Sequence, residues 1–248
     1  MTAAMIMAGG RSSRMRATND SRHKALVPVL GVPMLERNLR TLLASGFRDI
    51  TVAFAAAEPE IDAFVTDRGK ALADTCGAIV VPYREVIPLG TIGAARAYAG
   101  RADAVLVVNV DNLTTLDLRV LVDAHAASHA ALTVATHDES FVIPFGSVRT
   151  EHGMIVEYRE KPAYPIRISS GTYVLGQRAI AAIRPDAATG VPELVATLIG
   201  NGEKVASFEH DAVWIDVNDA AGVLRAETLI RDHAAEFERS VAGRKNQT

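Results

Sequence analysis

Residues 3–24 read AAMIMAGGRSSRMRATNDSRHK, and this stretch decides the fold. Ala3 to Ala8 is a short apolar run of the kind that forms a buried strand. Gly9-Gly10 breaks it, and a loop with little bulk and much positive charge follows. Arg11, Arg14, Arg16, Arg22 and Lys24 crowd that loop, and Asp20 is its only acid. Glycines let a backbone approach a ligand closely, and successive N–H groups in such a turn form an anion nest. Arginine adds forked donors for phosphate, and lysine adds a point charge. The stretch predicts a polyphosphate cradle at the carboxyl end of a first strand. A Gly-Gly turn followed by a solvated basic loop fits the same letters, and the stretch alone leaves both readings open. Two other phosphate loops are excluded, because neither G-x-x-x-x-G-K-[ST] nor G-x-G-x-x-G occurs.

The rest of the chain makes the loop stand out. Net charge is −3, so nothing points to bulk binding of nucleic acid or membrane, and a local cluster of cations is informative. With 248 residues, 49% of them hydrophobic, the chain can bury the core of one large α/β domain. Cys76 is the only cysteine, which excludes an internal disulfide and a multi-cysteine zinc site, and it reads as a small apolar filler. The N-terminus lacks a charged segment ahead of a long apolar one, and no apolar run reaches about 18 residues. A cytoplasmic protein with neither signal peptide nor membrane span is the expectation.

Beyond the loop, strand and helix signals alternate. Pro33 sits where a helix can start, and MLERNLRTLLAS carries apolar residues at helical spacing up to Gly46. Asp49–Ala55 reads as a strand, 58–73 as a helix, and Ala78–Val81 as a strand stopped by Pro82. PLGTIGAARAYAG (88–100) reads as a small-residue entrance to an alanine-rich helix, where a flat ligand such as a base can come close. AVLVVNV (104–110) is the cleanest buried parallel strand, and it ends in Asp111-Asn112. An acid just past a central strand lies where open α/β sheets bind ligands, and a carboxylate there suits Mg²⁺ beside a polyphosphate; a turn or N-cap aspartate is the plainer alternative. A helix over 116–128 carries His125, and His125 and His129 read as surface histidines. From Ala130 short strands predict an antiparallel insertion or flap beside the sheet, with a hairpin turn at Glu151-His152-Gly153. Later strands bring Gly171 and Asp216. The expected organisation is one domain over residues 1–240, with an antiparallel section at about 130–175 and a polar tail at 241–248.

Taken in order, these pieces resemble the sugar-1-phosphate nucleotidylyltransferases. The resemblance runs from Ala4 to about Glu227 through AGGRSSRM and HKALVPVLGVPMLE, then PLGTIGA, VVNVDNL, FGSV, EYREKP, SSGTYVL and VWIDV. It implies a Rossmann-like three-layer α/β/α sandwich, with a mostly parallel sheet and a sugar-binding insertion. It also implies roles. Ala8, Gly9, Gly10, Ser12 and Ser13 meet the nucleotide, Arg14 holds the β- and γ-phosphates, and Lys24 the α-phosphate region. Gly90 and Thr91 face the base. Asp111 and Asp216 bind Mg²⁺. Gly146, Glu160, Gly171 and Thr172 line the sugar site, and Lys161 holds the sugar phosphate. Two positions depart from the pattern. Ser12 stands where a third glycine is usual, a variant that also resembles the molybdenum-cofactor nucleotidyltransferases. Ser169 stands where an asparagine often touches sugar hydroxyls.

The implied reaction is in-line attack of a sugar phosphate oxygen on the α-phosphate of an NTP, with pyrophosphate leaving. The attacking monoester is already anionic near neutral pH, so catalysis reduces to positioning and charge neutralisation by Arg14, Lys24, Lys161 and Mg²⁺, with no general base. PLGTIGA is most similar to guanylyltransferases acting on mannose- or heptose-type phosphates, which makes GTP the favoured nucleotide. UTP- or CTP-using enzymes that act on other phosphorylated small molecules, such as phosphocholine or a cyclitol phosphate, are the alternative. A catalytically inactive nucleotide-sugar-binding regulator is another. A homodimer is compatible with the resemblance. A nucleic-acid-binding module would need a wider basic stripe with aromatics, which is missing.

Overall fold

Successive side chains of a strand point to opposite faces, so an all-apolar strand must be covered twice. The computed structural model, which describes residues 2–9 and 22–242, shows this for the first strand. Ala4, Ile6 and Ala8 enter one core; Ala3, Met5 and Met7 enter another. Among the described residues the strands in chain order are β1 (Thr2–Met7), β2 (Pro28–Val29), β3 (Val32–Pro33), β4 (Asp49–Ala55), β5 (Ile79–Glu85), β6 (Ala104–Asn109), β7 (Asn112–Thr114), β8 (Leu132–Val142), β9 (Ser147–Glu151), β10 (Met154–Arg159), β11 (Ala163–Gly176), β12 (Val205–Glu209) and β13 (Trp214–Asp216).

Seven of them form one sheet in the order β12-β8-β11-β6-β1-β4-β5. β1 pairs in parallel with both β4 and β6, and β4 with β5. The chain therefore winds outward from β1 to one side, then returns to build the other side from β6. That reversal lies between β1 and β6, and open α/β sheets bind ligands at such a point, beyond the carboxyl ends of the strands. The first core packs the helices Met34–Ala44 and Leu118–Ser128 against the sheet through Leu35, Leu39, Leu42, Leu118 and Leu121. The second packs Ile92, Tyr98, Ile180, Leu194 and Leu198 against the opposite face. The result is the expected Rossmann-like three-layer sandwich. A third cluster, with Val29, Met34, Leu113, Val217 and Ile230, ties the closing helix Ala220–Asp232 to the end of the sheet.

Four local expectations are corrected. Pro82 does not stop its strand, which runs on to Glu85. β5 is an edge strand hydrogen-bonded only to β4, so a residue without an N–H is tolerated there. Gly93–Tyr98 winds as a 3₁₀-helix rather than an α-helix. It is short, closed by Gly100 at φ +70°, and anchored by Tyr98, whose Oη lies 2.6 Å from Thr51 Oγ1 in the core. His125 is buried, not on the surface: its Nδ1 lies 2.8 Å from Thr133 Oγ1. It follows Leu118, Leu121 and Val122 on the inward stripe of the helix Leu118–Ser128, so spacing, not residue type, set its side. Lastly, the antiparallel section is no flap beside the sheet. β11 is an inner strand, antiparallel to β6 on one side and β8 on the other. Only the outer parts of β8 and β11, with the hairpin β9–β10, extend past it.

Candidate active site

The end of β1 and the end of β6 are joined by backbone. Ala8 N–H donates to Ala53 O at 2.7 Å, and Val110 N–H donates to Met7 O at 3.1 Å. The Ala8 donor is thus spent within the sheet, and Gly9 is the first residue beyond it. Gly10, Ser12, Ser13 and Arg14 lie outside the described residues. The chain is described again from Arg22. His23, 3% exposed, accepts from Ala25 N–H through Nδ1 at 3.2 Å and caps the single 3₁₀ turn Lys24–Leu26. That turn presents Lys24. Its Nζ lies 2.5 Å from Asp111 Oδ2, and the two side chains are only 16% and 14% exposed. Two residues 87 apart in sequence therefore meet as an ion pair where the sheet reverses direction. Nothing in the sequence reading had assigned His23; its place directly before Lys24 was the available signal.

Asp216 arrives from the far end of the chain. β13 pairs antiparallel with β7, Asp216 opposite Asn112, and Val217 N–H donates to Asp111 O at 3.0 Å. Asp111 and Asp216 line one polar cavity of about 250 Å³ together with Asn109, Ser169, Gly171, Tyr173 and Trp214. Asn218 donates its side-chain amide to Asp216 Oδ2. Tyr173 is 6% exposed and accepts from Ser169 Oγ at 3.1 Å. Burial raises the pKa of its phenol; the Ser169 bond lowers it and the Asp111 charge raises it. A neutral phenol beside Asp111 is therefore the form present at neutral pH. Tyr173 and Trp214 were missed as site residues, although both stand within quoted motifs, two positions after Gly171 and two before Asp216.

The cavity wall depends on an irregularity in β11. Pairing with β8 shifts register between Ser169 and Tyr173, and Gly171 sits in the bulge at φ +69°. A Cβ on Gly171 would lie 1.7 Å from Asn112 Nδ2, so no side chain fits. Ser170 holds the bulge from behind. Its Oγ donates to Ala135 O at 2.9 Å and lies 3.0 Å from His210 Nε2, while its carbonyl accepts from Trp214 Nε1 at 2.8 Å. Thr172, expected on the sugar side, is 1% exposed and lines a different cavity. That second cavity is larger, about 660 Å³, with walls from Leu113, Ile230 and Phe237. Size alone would favour it. Its three arginines are engaged elsewhere, however: Arg37 with Val29 O, Arg40 with Glu36 and Arg231 with Glu227. Asp111 does not line it; Asp111, the partner of Lys24, lines the smaller and more polar one instead, together with Asp216.

A third group lies at the carboxyl end of β5. Glu85 is 6% exposed; its Oε2 accepts from Leu89 N–H at 3.3 Å and would touch a Cβ on Gly9 at 3.2 Å. Its Oε1 is buried without a hydrogen-bond partner among the described residues. Desolvation raises the carboxyl pKa, and the Leu89 bond offsets only part of this. Gly90 follows at φ +79°, where a Cβ would lie 2.6 Å from Thr189 O. Its lack of a side chain thus has a packing reason, since the 89–92 loop is clamped to Thr189 by Thr189 N to Leu89 O at 2.8 Å and Ile92 N to Thr189 O at 3.1 Å. Gly90 and Thr91 are both exposed.

Gly146, Glu160 and Lys161 are grouped apart from these, on the arm. Tyr158 Oη donates to Glu160 Oε2 at 3.2 Å and occupies the space a Cβ on Gly146 would need. Lys161 is exposed at φ +45° where β10 turns into β11. None of the three lines the cavity of Asp111 and Asp216.

Comparison with known proteins gives this arrangement a context. A sequence model described as nucleotidyl transferase matches residues 3–233. A mannose-1-phosphate guanylyltransferase of Mycobacterium tuberculosis (strain ATCC 25618 / H37Rv) is 28% identical over 236 residues, which are 92% of this chain and 64% of that protein. A glucose-1-phosphate thymidylyltransferase of Streptomyces griseus is 25% identical over 240 residues, 92% of this chain and 65% of that one. The chain thus spans somewhat under two thirds of these relatives. Among solved structures, HddC from Yersinia pseudotuberculosis aligns with a TM-score of 0.69 at 23% identity, covering 92% of this chain and 99% of that one, a likeness of fold. That protein has also been solved complexed with GMP-PN, with a TM-score of 0.69 at 22% identity over the same shares of both chains.

Proposed function

The chain belongs to the nucleotidyl transferase family, and from that premise we propose that it transfers a nucleoside monophosphate from an NTP to a sugar 1-phosphate, releasing pyrophosphate. The observation that carries the reading is the Lys24–Asp111 pair at the reversal of the sheet, with Asp216 on the same cavity. A monoester oxygen of the acceptor forms a bond to the α-phosphorus while the bond to the bridging oxygen of pyrophosphate breaks, and the electron pair leaves with pyrophosphate. No proton need be removed from the nucleophile. What the site must supply is cationic charge and alignment. Lys24, fixed by the His23-capped turn, supplies the point charge at the α-phosphate. Arg14, outside the described residues, is assigned the β- and γ-phosphates from the sequence pattern, with Gly9, Gly10, Ser12 and Ser13 as the backbone cradle.

Two carboxylates on one polar cavity suit Mg²⁺, which takes oxygen ligands from one or two carboxylates and fills its shell with phosphate oxygens and water. Asp111 and Asp216 would hold it, and bound there it would neutralise charge on the triphosphate. Among the described residues no group of three or more His, Cys, Asp or Glu could hold a metal by itself. Gly171 and Tyr173 form the acceptor wall, Thr172 supports Gly171 from the other cavity, and Gly146, Glu160 and Lys161 address the acceptor from the arm. In this reading residues 1–240 act as one unit, residues 130–175 carry the acceptor side, and the protein is a homodimer. GTP is the proposed nucleotide: Glu85 Oε1, buried close to Gly9, has no hydrogen-bond partner among the described residues, and a mannose-1-phosphate guanylyltransferase is among the relatives.

The direct test is pyrophosphate release from each of four NTPs against a panel of sugar 1-phosphates and non-sugar phosphomonoesters with Mg²⁺. Turnover with sugar 1-phosphates is expected; turnover with none of them would reject the reading. The two lysines should fail differently. Lys161→Ala should raise KM for the acceptor with kcat nearly unchanged, whereas Lys24→Ala should lower kcat on the order of 10²–10³-fold. Matching defects in steady-state kinetics would show that one pocket holds both.

A further inference from the structure

Two histidines stand behind the acceptor wall, and the transfer reaction gives them no role. His137 lies in β8 with its side chain only 10% exposed. His210 follows β12 and is tied to β8 by its backbone N–H, which donates to Thr136 O at 2.9 Å. The two ring centroids are 5.4 Å apart, and the His137 ring leans on that of Trp214 at 4.5 Å. Hydrogen bonds fix the tautomer of both rings. Glu139 Oε1, 3.2 Å from His137 Nε2, can only accept, so that nitrogen carries the proton. Ser170 Oγ gives its own hydrogen to Ala135 O, so His210 Nε2, 3.0 Å away, donates to it. A neutral imidazole protonated at Nε2 has a bare lone pair at Nδ1. Both Nδ1 atoms are buried, and neither has a hydrogen-bond partner among the described residues.

We propose that His137 and His210 are a pH-sensitive positioning pair for the acceptor wall: both neutral, they hold Trp214 and the Ser170–Gly171 bulge in place, and a proton taken up by the pair loosens that hold. The links are short. Ser170 accepts from His210 through Oγ and from Trp214 Nε1 through its carbonyl, and the next residue, Gly171, lines the cavity with Trp214. An imidazolium donates from both nitrogens. A proton on His210 Nδ1 is a buried donor with no acceptor in place. The ring is rigid, so turning Nδ1 toward an acceptor carries Nε2 off Ser170. The neutral pair is the resting state near neutral pH: burial and then the neighbouring His137 lower the His210 pKa, and Asp211 opposes them. The other charges around the pair are Glu139, held on His137, and Asp138 and Glu209, both tied to Arg167. Glu139 and Asp211 are therefore the carboxylates that favour uptake of the proton, with burial and the mutual repulsion of the rings against it.

Trp214 is the only tryptophan, so its fluorescence reads the pair in the whole chain without substrate. An imidazolium quenches a neighbouring indole more than an imidazole does. Emission should therefore fall in one step as pH drops from about 8 to about 5, and the step should vanish when His137→Gln and His210→Gln are combined. Imidazole ¹⁵N spectra of the wild type at about pH 8 should show Nε2–H and a bare Nδ1 in both rings. In steady-state kinetics at saturating NTP, KM for the sugar 1-phosphate should rise about 3- to 10-fold more over that range in the wild type than in His210→Gln, with kcat moving alike in both. Glutamine keeps a donor for Ser170 and does not titrate, and the acceptor's own phosphate titrates equally in both enzymes. The kinetic arm rests on the transfer reaction proposed above; fluorescence and ¹⁵N spectra do not, so either idea can fail without the other. An Nδ1–H tautomer in either ring, emission that ignores pH, a step that survives both substitutions, or equal KM profiles would each overturn the proposal.

Discussion

Asp111→Asn is expected to lower kcat by about 10³-fold or more while leaving the fold intact. The substitution keeps shape and removes charge. Asp111 lies two residues past the end of the central strand β6, its carboxylate faces Lys24 at 2.5 Å, and it shares a cavity with Asp216. In the proposed reaction that charge holds a cation against the triphosphate and orients Lys24 toward the α-phosphate. An amide does the first poorly and the second in part, because its oxygen still accepts from an ammonium. Removing a single preorganised electrostatic group from a phosphoryl or acyl transfer site costs on the order of 10²–10³-fold, and Asp111 serves two of them. The backbone at this point is held independently by Val217 N–H on Asp111 O and by Val110 N–H on Met7 O, so melting should shift little. Groups that act as a unit are not additive. Asp111→Asn combined with Lys24→Met should therefore cost little more than the worse single change. Rates of turnover with the best NTP and acceptor, beside melting curves of the same samples, decide it. An Asp111→Asn enzyme that keeps more than a tenth of wild-type kcat would remove Asp111 from the chemistry.

The parts of the fold that were legible in the sequence are those set by local period. β1 splits into two cores because its run is apolar at every position, and β4 fills Asp49–Ala55 as its composition requires. Asp111 was found because it closes the most continuous apolar run. What escaped depended on neighbours distant in sequence. Pro82 reads as a stop unless one knows that β5 is an edge. His125 reads as surface unless its helix is phased against Leu118 and Leu121. β11 reads as part of a flap because nothing local says that it will insert antiparallel between β6 and β8. The same limit applies to the site. Gly171 was readable as a position of close approach, but the group it approaches, Asn112, is set by a bulge and a register. Tyr173 and Trp214 carry no local mark of a site, and only the meeting of β11 with β13 turns them into a wall.

Glu85→Gln should abolish the proposed preference for GTP and at the same time make the protein no less stable at neutral pH. Every NTP shares its triphosphate, so Arg14, Lys24 and a bound cation cannot choose among bases. In the proposed reaction that choice is assigned to the segment Tyr83 to Gly93, where Glu85 is the only carboxylate. The structure finds it buried, with Oε1 lacking a partner among the described residues and with Leu89 O already engaged by Thr189 N–H. Guanine offers an N1–H and an N2 amine, both donors, and a buried carboxylate is the acceptor that matches them. A site built to pair such donors rejects an analogue lacking one, because its own acceptor is then left bare. ITP, which lacks the amine, should accordingly show kcat/KM about 10-fold or more below GTP in the wild type and near parity in Glu85→Gln. The sign of the pH effect follows from burial. Desolvation raises the carboxyl pKa above its unfolded value of about 4.3, so the folded state binds the proton more tightly. That contribution to stability is full below the unfolded value and is lost as pH rises through the folded one. Glutamine never ionises, so the variant should gain stability relative to wild type as pH rises through that window, and the two should converge below about pH 4. Pairing with guanine needs the ionised form, so KM for GTP should fall with rising pH in the wild type and stay flat in the variant. Equal use of GTP and ITP by the wild type would remove the amine contact. A wild-type preference for UTP or CTP would overturn the guanylyl assignment and leave nucleotidyl transfer standing.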